Sequence, residues 1–242
     1  MDWFVELKQD FILCFIEEGR WRYLVSGLGN TLRITSFAVL MGIAIGIVVA
    51  IIRASYDKNG AEMYGAGKVL LSIANAVSQV YLAVIRGTPV VVQLMIMYYI
   101  IFAASRNGVA VATLAFGINS GAYVAEIFRS GIMAINEGQF EAGRALGLGY
   151  VDTMRYIIMP QAFKNVLPAL ANEFIVLLKE TSVAGYVTVR DLTMGGDIIR
   201  SVTYSPFLPL LAVAAIYLAM VMFFTWLVGK LEKRLRSTEK RG

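Results

Sequence analysis

Long apolar runs alternate with polar intervals along the chain, and the runs are long enough to set its architecture. A bilayer hydrocarbon core about 30 Å thick takes roughly 20 residues of helix to cross. The run at 23–52 predicts a first span, with Asn30 to Arg33 polar near its start and Gly42 and Gly46 four residues apart, a spacing that lets helices pack closely. The stretch 68–104 is apolar for longer than one span needs. Within 68–85, Ser72, Asn75, Ser78 and Gln79 fall close to one helical face, which predicts an interfacial or partly buried helix. Arg86-Gly87-Thr88-Pro89 breaks that helix, and a proline in the first turn opens the second span, 89–104. The third span, 110–128, carries the packing pair Gly117 and Gly121 with Asn119, Ser120 and Glu126 as polar insertions. The fourth, 166–187, encloses Lys179-Glu180-Thr181-Ser182, and the fifth is 207–228. Residues 1–22 place Trp3, Phe4, Leu7, Phe11 and Phe15 at helical spacing with Asp2, Glu6, Asp10 and Glu17 among them, which suits a helix lying in the membrane interface. The pattern predicts an all-α integral membrane protein with an N-terminal interfacial helix (1–22) and a membrane domain (23–242) of five transmembrane helices. Between spans three and four lies a polar loop, 137–162.

Composition agrees with lipid as the main solvent. Of the 242 residues 58% are hydrophobic and the mean hydropathy is +0.66, above the roughly 45–50% apolar usage of soluble domains. Cys14 is the single cysteine and histidine is absent. An internal disulfide, a His–Cys zinc site and a histidine general base are thereby excluded, and no metal site is predicted. The N-terminus lacks the basic segment and small-residue cleavage site of a signal peptide. Gly65-Ala66-Gly67-Lys68 imitates a phosphate-binding loop, but Glu62 and Val69 stand where that motif needs Gly and Ser or Thr. No nucleotide-binding motif is left in the chain.

The net charge of +5 bears on topology rather than on nucleic acid. With five spans and a cytoplasmic tail, Arg53, Lys58, Lys68, Arg86, Arg129, Arg144, Arg155, Lys164 and the six basic residues of the tail face the cytoplasm. Lys8, Arg20, Arg22, Arg106, Arg190 and Arg200 face the other side, while Arg33 and Lys179 lie within spans. The excess of basic residues predicts an outside N-terminus and a cytoplasmic C-terminus.

Ionisable residues inside a span are costly and mark a cavity or a partner. Glu126, Lys179 and Glu180 qualify, and Asn119, Ser120, Thr181 and Ser182 add donors and acceptors at neighbouring positions. Substrate contact and a structural ion pair, for example with Glu126, both remain open for Lys179 and Glu180. Arg86 reads first as a topology anchor and Gln93 as a packing residue.

The polar loop carries a recognisable spacing. Glu141-Ala142-Gly143, then Gly147, Ile157 and Pro160 match at every interval E-A-A-x3-G-x9-I-x-L-P, with Gly143 for the second Ala and Met159 for the Leu. The chain thus resembles the permease subunits of bacterial ATP-binding-cassette importers, whose EAA loop has this form. Ile85 to Pro89, Gln93, Asn119 to Arg129, Asn172 to Ile175 and Lys179 to Ser182 are similar to the subfamily that takes up polar amino acids. The resemblance implies a permease working by alternating access in the bacterial cytoplasmic membrane, with the first short helix of the loop (about 139–146) docked on a separate ATPase that holds ATP and Mg. Glu141, Ala142, Gly143, Gly147 and Pro160 would carry that coupling, with Ala142 and Gly143 permitting close approach. It also implies a second permease copy, identical or related, and an extracytoplasmic amino-acid-binding protein. Gly147 and Gly149 suit a sharp turn, and Asp152 is placed to cap the loop's second helix. A stand-alone carrier or channel and an intramembrane enzyme are the alternatives.

Overall fold

The computed structural model describes residues 2–59 and 63–239. Met1, positions 60–62 and the last three residues of the basic tail lie outside this set. The described residues form helices joined by short turns: α1 Asp2–Phe11, α2 Trp21–Asn59, α3 Ala66–Gly87, α4 Val90–Ile96, α5 Gly108–Met133, α6 Glu137–Ala145, α7 Tyr150–Thr153, α8 Met159–Glu180, α9 Leu192–Thr203 and α10 Phe207–Glu239.

Four helices are long and apolar enough to cross a membrane: residues Trp21–Lys58, Ala66–Gly87, Gly108–Met133 and Phe207–Arg234. The stretch 68–104 divides differently from the sequence expectation. Its first part forms a continuous 22-residue helix with a mean hydropathy of 1.6 in its most apolar window. Its second part, Val90–Ile101, is short, about 18 Å at a rise of 1.5 Å per residue. The reason lies in where the polar residues point. Asn75 and Ser78 are buried, and the Ser78 hydroxyl donates to the Ala74 carbonyl at 2.8 Å, while Leu70, Ile73, Val77, Val80 and Val84 are exposed. Inward Asn75 and Ser78 beside outward apolar residues fit the partly buried reading of this helix, with Gln79 left exposed, and its length and hydropathy are enough to cross a membrane. The Thr88–Pro89 break falls where the sequence puts it. Span four also shifts: α8 starts at Met159, inside the polar loop, continues through Pro168 and ends at Glu180, and 181–187 follow as a tighter helix. Arg33 lies well inside α2 rather than near its end.

The chain forms two compact units. The first comprises Met1–Ala38, Val90–Phe116 and Phe174–Leu227. Its core gathers Cys14, Phe15, Leu24, Leu192, Ile199 and Val213. The segment after α1 is thus anchored by Cys14 and Phe15, while Trp3, Phe4 and Phe11 stay exposed. Asp191 caps α9, accepting from the amides of Thr193 at 3.1 Å and Met194 at 3.0 Å. The Leu192 amide donates to Thr31 Oγ1 on α2 at 3.1 Å.

The second unit comprises Val39–Pro89, Gly117–Glu173 and Val228–Gly242. Its core holds Ala50, Val124, Phe128, Val166 and Leu170, with Leu82, Ala122 and Ala125 beside them. The glycines predicted to pack do so within the chain: a Cβ on Gly42 would stand 2.9 Å from Ser120 Oγ, and one on Gly121 2.7 Å from Tyr81 Oη. Gly46 against Val124 and Gly131 against Val166 are tighter still. These contacts lock the inner half of α2 and the first turns of α8 onto α5.

A charged cavity and the polar loop

Three helices of the second unit bring charge together. Glu126 and Arg129 lie three apart on α5 and so share a face. Arg129 Nη2 donates to Glu126 Oε1 at 2.9 Å, and Arg129 Nη1 lies 3.4 Å from Asp57 Oδ2 at the end of α2. Glu126 Oε2 is 3.9 Å from Arg86 Nη1 in the last turn of α3, and the Arg86 guanidinium sits 5.7 Å from the centroid of the Tyr123 ring. Beside this ladder opens a cavity of about 490 Å³ bordered by Arg86, Tyr123, Glu126, Ser130, Asn165 and Glu173, among others. Glu173, only 8% exposed, accepts a hydrogen bond from the fully buried Ser120 hydroxyl at 2.9 Å. A buried carboxylate is kept only where donors or cations meet it. The cavity therefore presents one guanidinium and two carboxylates to whatever enters.

The predicted residues separate into two groups. Asn119 and Ser120 are buried, Ser120 is bonded to Glu173, and Glu126 lines the cavity. Lys179, Glu180, Thr181 and Ser182 belong to the other compact unit. Lys179 is exposed there, and the Thr181 hydroxyl is turned back onto its own helix, donating to the Leu178 carbonyl at 2.8 Å. Within its own unit Glu126 forms ion pairs with Arg129 on α5 and Arg86 on α3. Glu173, marked in the sequence only through the run Asn172 to Ile175, and Arg86, read there as a topology anchor, both border the cavity. The signal was present for both, since each is an ionisable residue within a largely apolar stretch.

The polar loop folds as two short helices. Asn136 caps α6 by accepting from the Gly138 amide at 2.8 Å. Phe140 is buried among Ala54, Ile132, Ile135, Met154 and Ile158, while Glu141 and Ala142 are exposed. Gly143 does not join them: a Cβ there would meet Thr153 Cγ2 at 2.6 Å, so this glycine serves the close approach of α6 to α7 rather than an outside partner. Gly147 turns the chain with φ +76°, a conformation that favours glycine. Gly149 has an ordinary φ of −66° and occupies the cap of α7, which leaves Asp152 inside the helix instead of capping it. A second cavity, of about 500 Å³, lies behind α6 between Asp57, Lys58, Glu137, Glu141, Arg144 and Tyr150.

Comparison with known proteins places this architecture. Residues 63–237 match the family described as "Binding-protein-dependent transport system inner membrane component". The putative glutamine transport system permease protein GlnP of Rickettsia conorii is 35% identical over 216 residues, covering 88% of this chain and 93% of the relative. The arginine transport system permease protein ArtQ of Bacillus subtilis is 33% identical, with 90% and 94% covered, and the glutamine permease GlnP of Escherichia coli K12 is 34% identical, with 88% and 93% covered. Among solved structures, an amino acid ABC transporter crystallised with histidines matches with a TM-score of 0.77 at 40% identity, covering 91% of this chain and 98% of that one. The inward-facing MetNI methionine ABC transporter shares the fold, with a TM-score of 0.74 at 20% identity and coverage of 90% and 98%. With its apolar helices, its loop spacing and these matches taken together, the chain belongs to the family of binding-protein-dependent transport system inner membrane components and is a multi-pass, non-enzymatic permease subunit of an ATP-binding-cassette importer.

Proposed function

We propose that this permease carries a polar amino acid, and that the cavity between Arg86, Tyr123, Glu126 and Glu173 receives it. The observation that carries the proposal is the presence of a guanidinium and two carboxylates around one cavity. A free amino acid presents a carboxylate and an ammonium, and charge-assisted hydrogen bonds to both ends are the strongest available to such a ligand. Asn119 and Ser120 shape the site from behind, Ser120 by holding Glu173. Lys179, Glu180, Thr181 and Ser182 rank below these as a second, weaker set of polar groups along the path. The glutamine and arginine relatives support the polar amino acid class.

Work enters through the loop. The exposed face of α6, with Glu141 and Ala142, docks on a separate ATPase that holds ATP and Mg, Gly147 turns the chain after it, and Pro160 sits in the first turn of α8. Two permease chains, of one or two kinds, enclose the path and alternate its access. A binding protein delivers the solute from outside, where the N-terminus lies, and the C-terminus, with its basic tail, faces the cytoplasm.

The test is reconstitution of the chain in liposomes with and without its ATPase and binding protein. Uptake of a labelled amino acid that requires all components and ATP is the expected result, and glutamine, arginine and histidine are the first probes. Solute movement by the purified chain alone, without ATP, would establish a stand-alone carrier instead.

A further inference from the structure

The end of α2 touches both the polar loop and the charged ladder. Lys58 stands over the ring of Phe140 on α6, with Nζ 3.7 Å from the ring centroid. The hydroxyls of Ser55 and of Tyr150, on α7, are 3.3 Å apart. Ala54 is fully buried in the cluster that also holds Phe140, Met154 and Ile158. Both short helices of the loop therefore rest on the last turns of α2. Asp57 belongs to the same turn and reaches the other way, to Arg129.

We infer that the terminal turn of α2, Ser55 to Lys58, transmits displacement of α6 to the cavity, with Asp57 as a positioning residue that acts through Arg129. This rests on the reading of α6 as the ATPase-docking helix. Residues 57 and 58 are adjacent on a rigid helix with a rise of about 1.5 Å per residue, so a shift imposed on Lys58 moves Asp57 equally. Arg129 is shared by two carboxylates, Asp57 and Glu126, and Glu126 is shared by two guanidinia, Arg129 and Arg86. When Asp57 withdraws, Arg129 is left to Glu126, and Glu126 loosens its hold on Arg86. When Asp57 approaches, Arg129 is drawn from Glu126, and Glu126 closes on Arg86. The position of α6 thereby sets whether the Arg86 guanidinium is available to a solute carboxylate. The side chains of the ladder are 27–44% exposed, so each pair is weak enough to exchange without a large barrier.

The experiment uses the full complex in liposomes, with uptake of glutamine, arginine and histidine measured beside ATP hydrolysis. Asp57→Asn is expected to leave hydrolysis at the wild-type rate and to lower uptake per ATP by about fivefold, the upper end of what an ion pair of this exposure contributes. Asp57→Glu restores the ratio. Lys58→Met lowers it likewise, and the double variant is no worse than either single one, because both residues act on one path. An unchanged ratio in Asp57→Asn overturns the inference. So does a parallel fall of uptake and hydrolysis that Asp57→Glu does not rescue, since that marks a purely structural role. Failure of the wild-type complex to take up any probe in an ATP-dependent manner would instead count against the functional reading beneath it.

Discussion

Two buried acids, one in each compact unit, show how the same residue type comes to do different work. Asp191 is fully buried and its carboxylate is spent locally, accepting the amides of Thr193 and Met194 at the start of α9 and a bond from the Thr193 side chain. Burial pushes its carboxyl above the ordinary aspartate range, and those two amides pull it partly back. Glu173 is almost as buried, yet its hydrogen bond comes from the Ser120 side chain on another helix, and it borders a cavity that also contains Arg86. A carboxylate absorbed locally holds a turn in place. One held by a side chain at a cavity wall is poised to meet a ligand.

The largest expected break in this comparison is Glu173→Ala. Removing a buried carboxylate that a charge-assisted hydrogen bond satisfies costs roughly 1.5–3 kcal/mol, which in transport reads as a tenfold to hundredfold fall in uptake efficiency if the acid meets the solute. Uptake kinetics at matched membrane expression check this; normal kinetics would make Glu173 a packing residue. Next comes Gly131→Ala, where a Cβ would overlap Val166 and overpack α5 against α8 by about 1–3 kcal/mol. Thermal unfolding in detergent measures that loss, which tests whether the wall behind the cavity is as rigid as the contact implies.

Asp191→Ala should act on stability alone, at about 1 kcal/mol for a lost helix cap, with the kinetic constants of uptake preserved. Asp191→Asn keeps the cap and removes the charge. Because the folded carboxyl is raised above the ordinary value of about 3.9, the ionised form is disfavoured more in the folded than in the unfolded chain. The stability tied to this proton is present below the ordinary value and is lost as pH rises through the folded value. Stability against pH, compared between wild type and Asp191→Asn, reads that difference.

How far the sequence could carry these assignments differs by feature. The apolar runs, the break at Thr88 and Pro89, and the spacing of the polar loop survive folding because each depends on residues close together in the chain. The sequence left α3 between an interfacial and a partly buried helix, since inward and outward polarity look alike until the solvent on each side is known, and the buried Asn75 and Ser78 decide for the second. Gly143 looked like an outward contact residue because it sits in the motif, and only Thr153 shows which way it points. The cavity was half legible: Ser120 and Glu126 stood out as polar insertions, while Arg86, Arg129 and Asp57 gain meaning only through one another, across three helices.

The smallest predicted effect concerns the run Lys179 to Ser182, which in sequence looked as good a site as Asn119 to Glu126. Lys179 is exposed, and the Thr181 hydroxyl bonds the carbonyl of Leu178 on its own helix. Exposed substitutions away from caps, cores and ion networks usually change stability by no more than about 0.5 kcal/mol. Lys179→Gln should therefore alter neither thermal stability nor the apparent affinity for a neutral amino acid by more than about twofold, as uptake kinetics at matched expression can determine. A larger loss for Lys179→Gln than for Glu173→Ala would reverse the ranking of the two polar runs, moving the principal solute contacts from the cavity beside Arg86 to the end of α8.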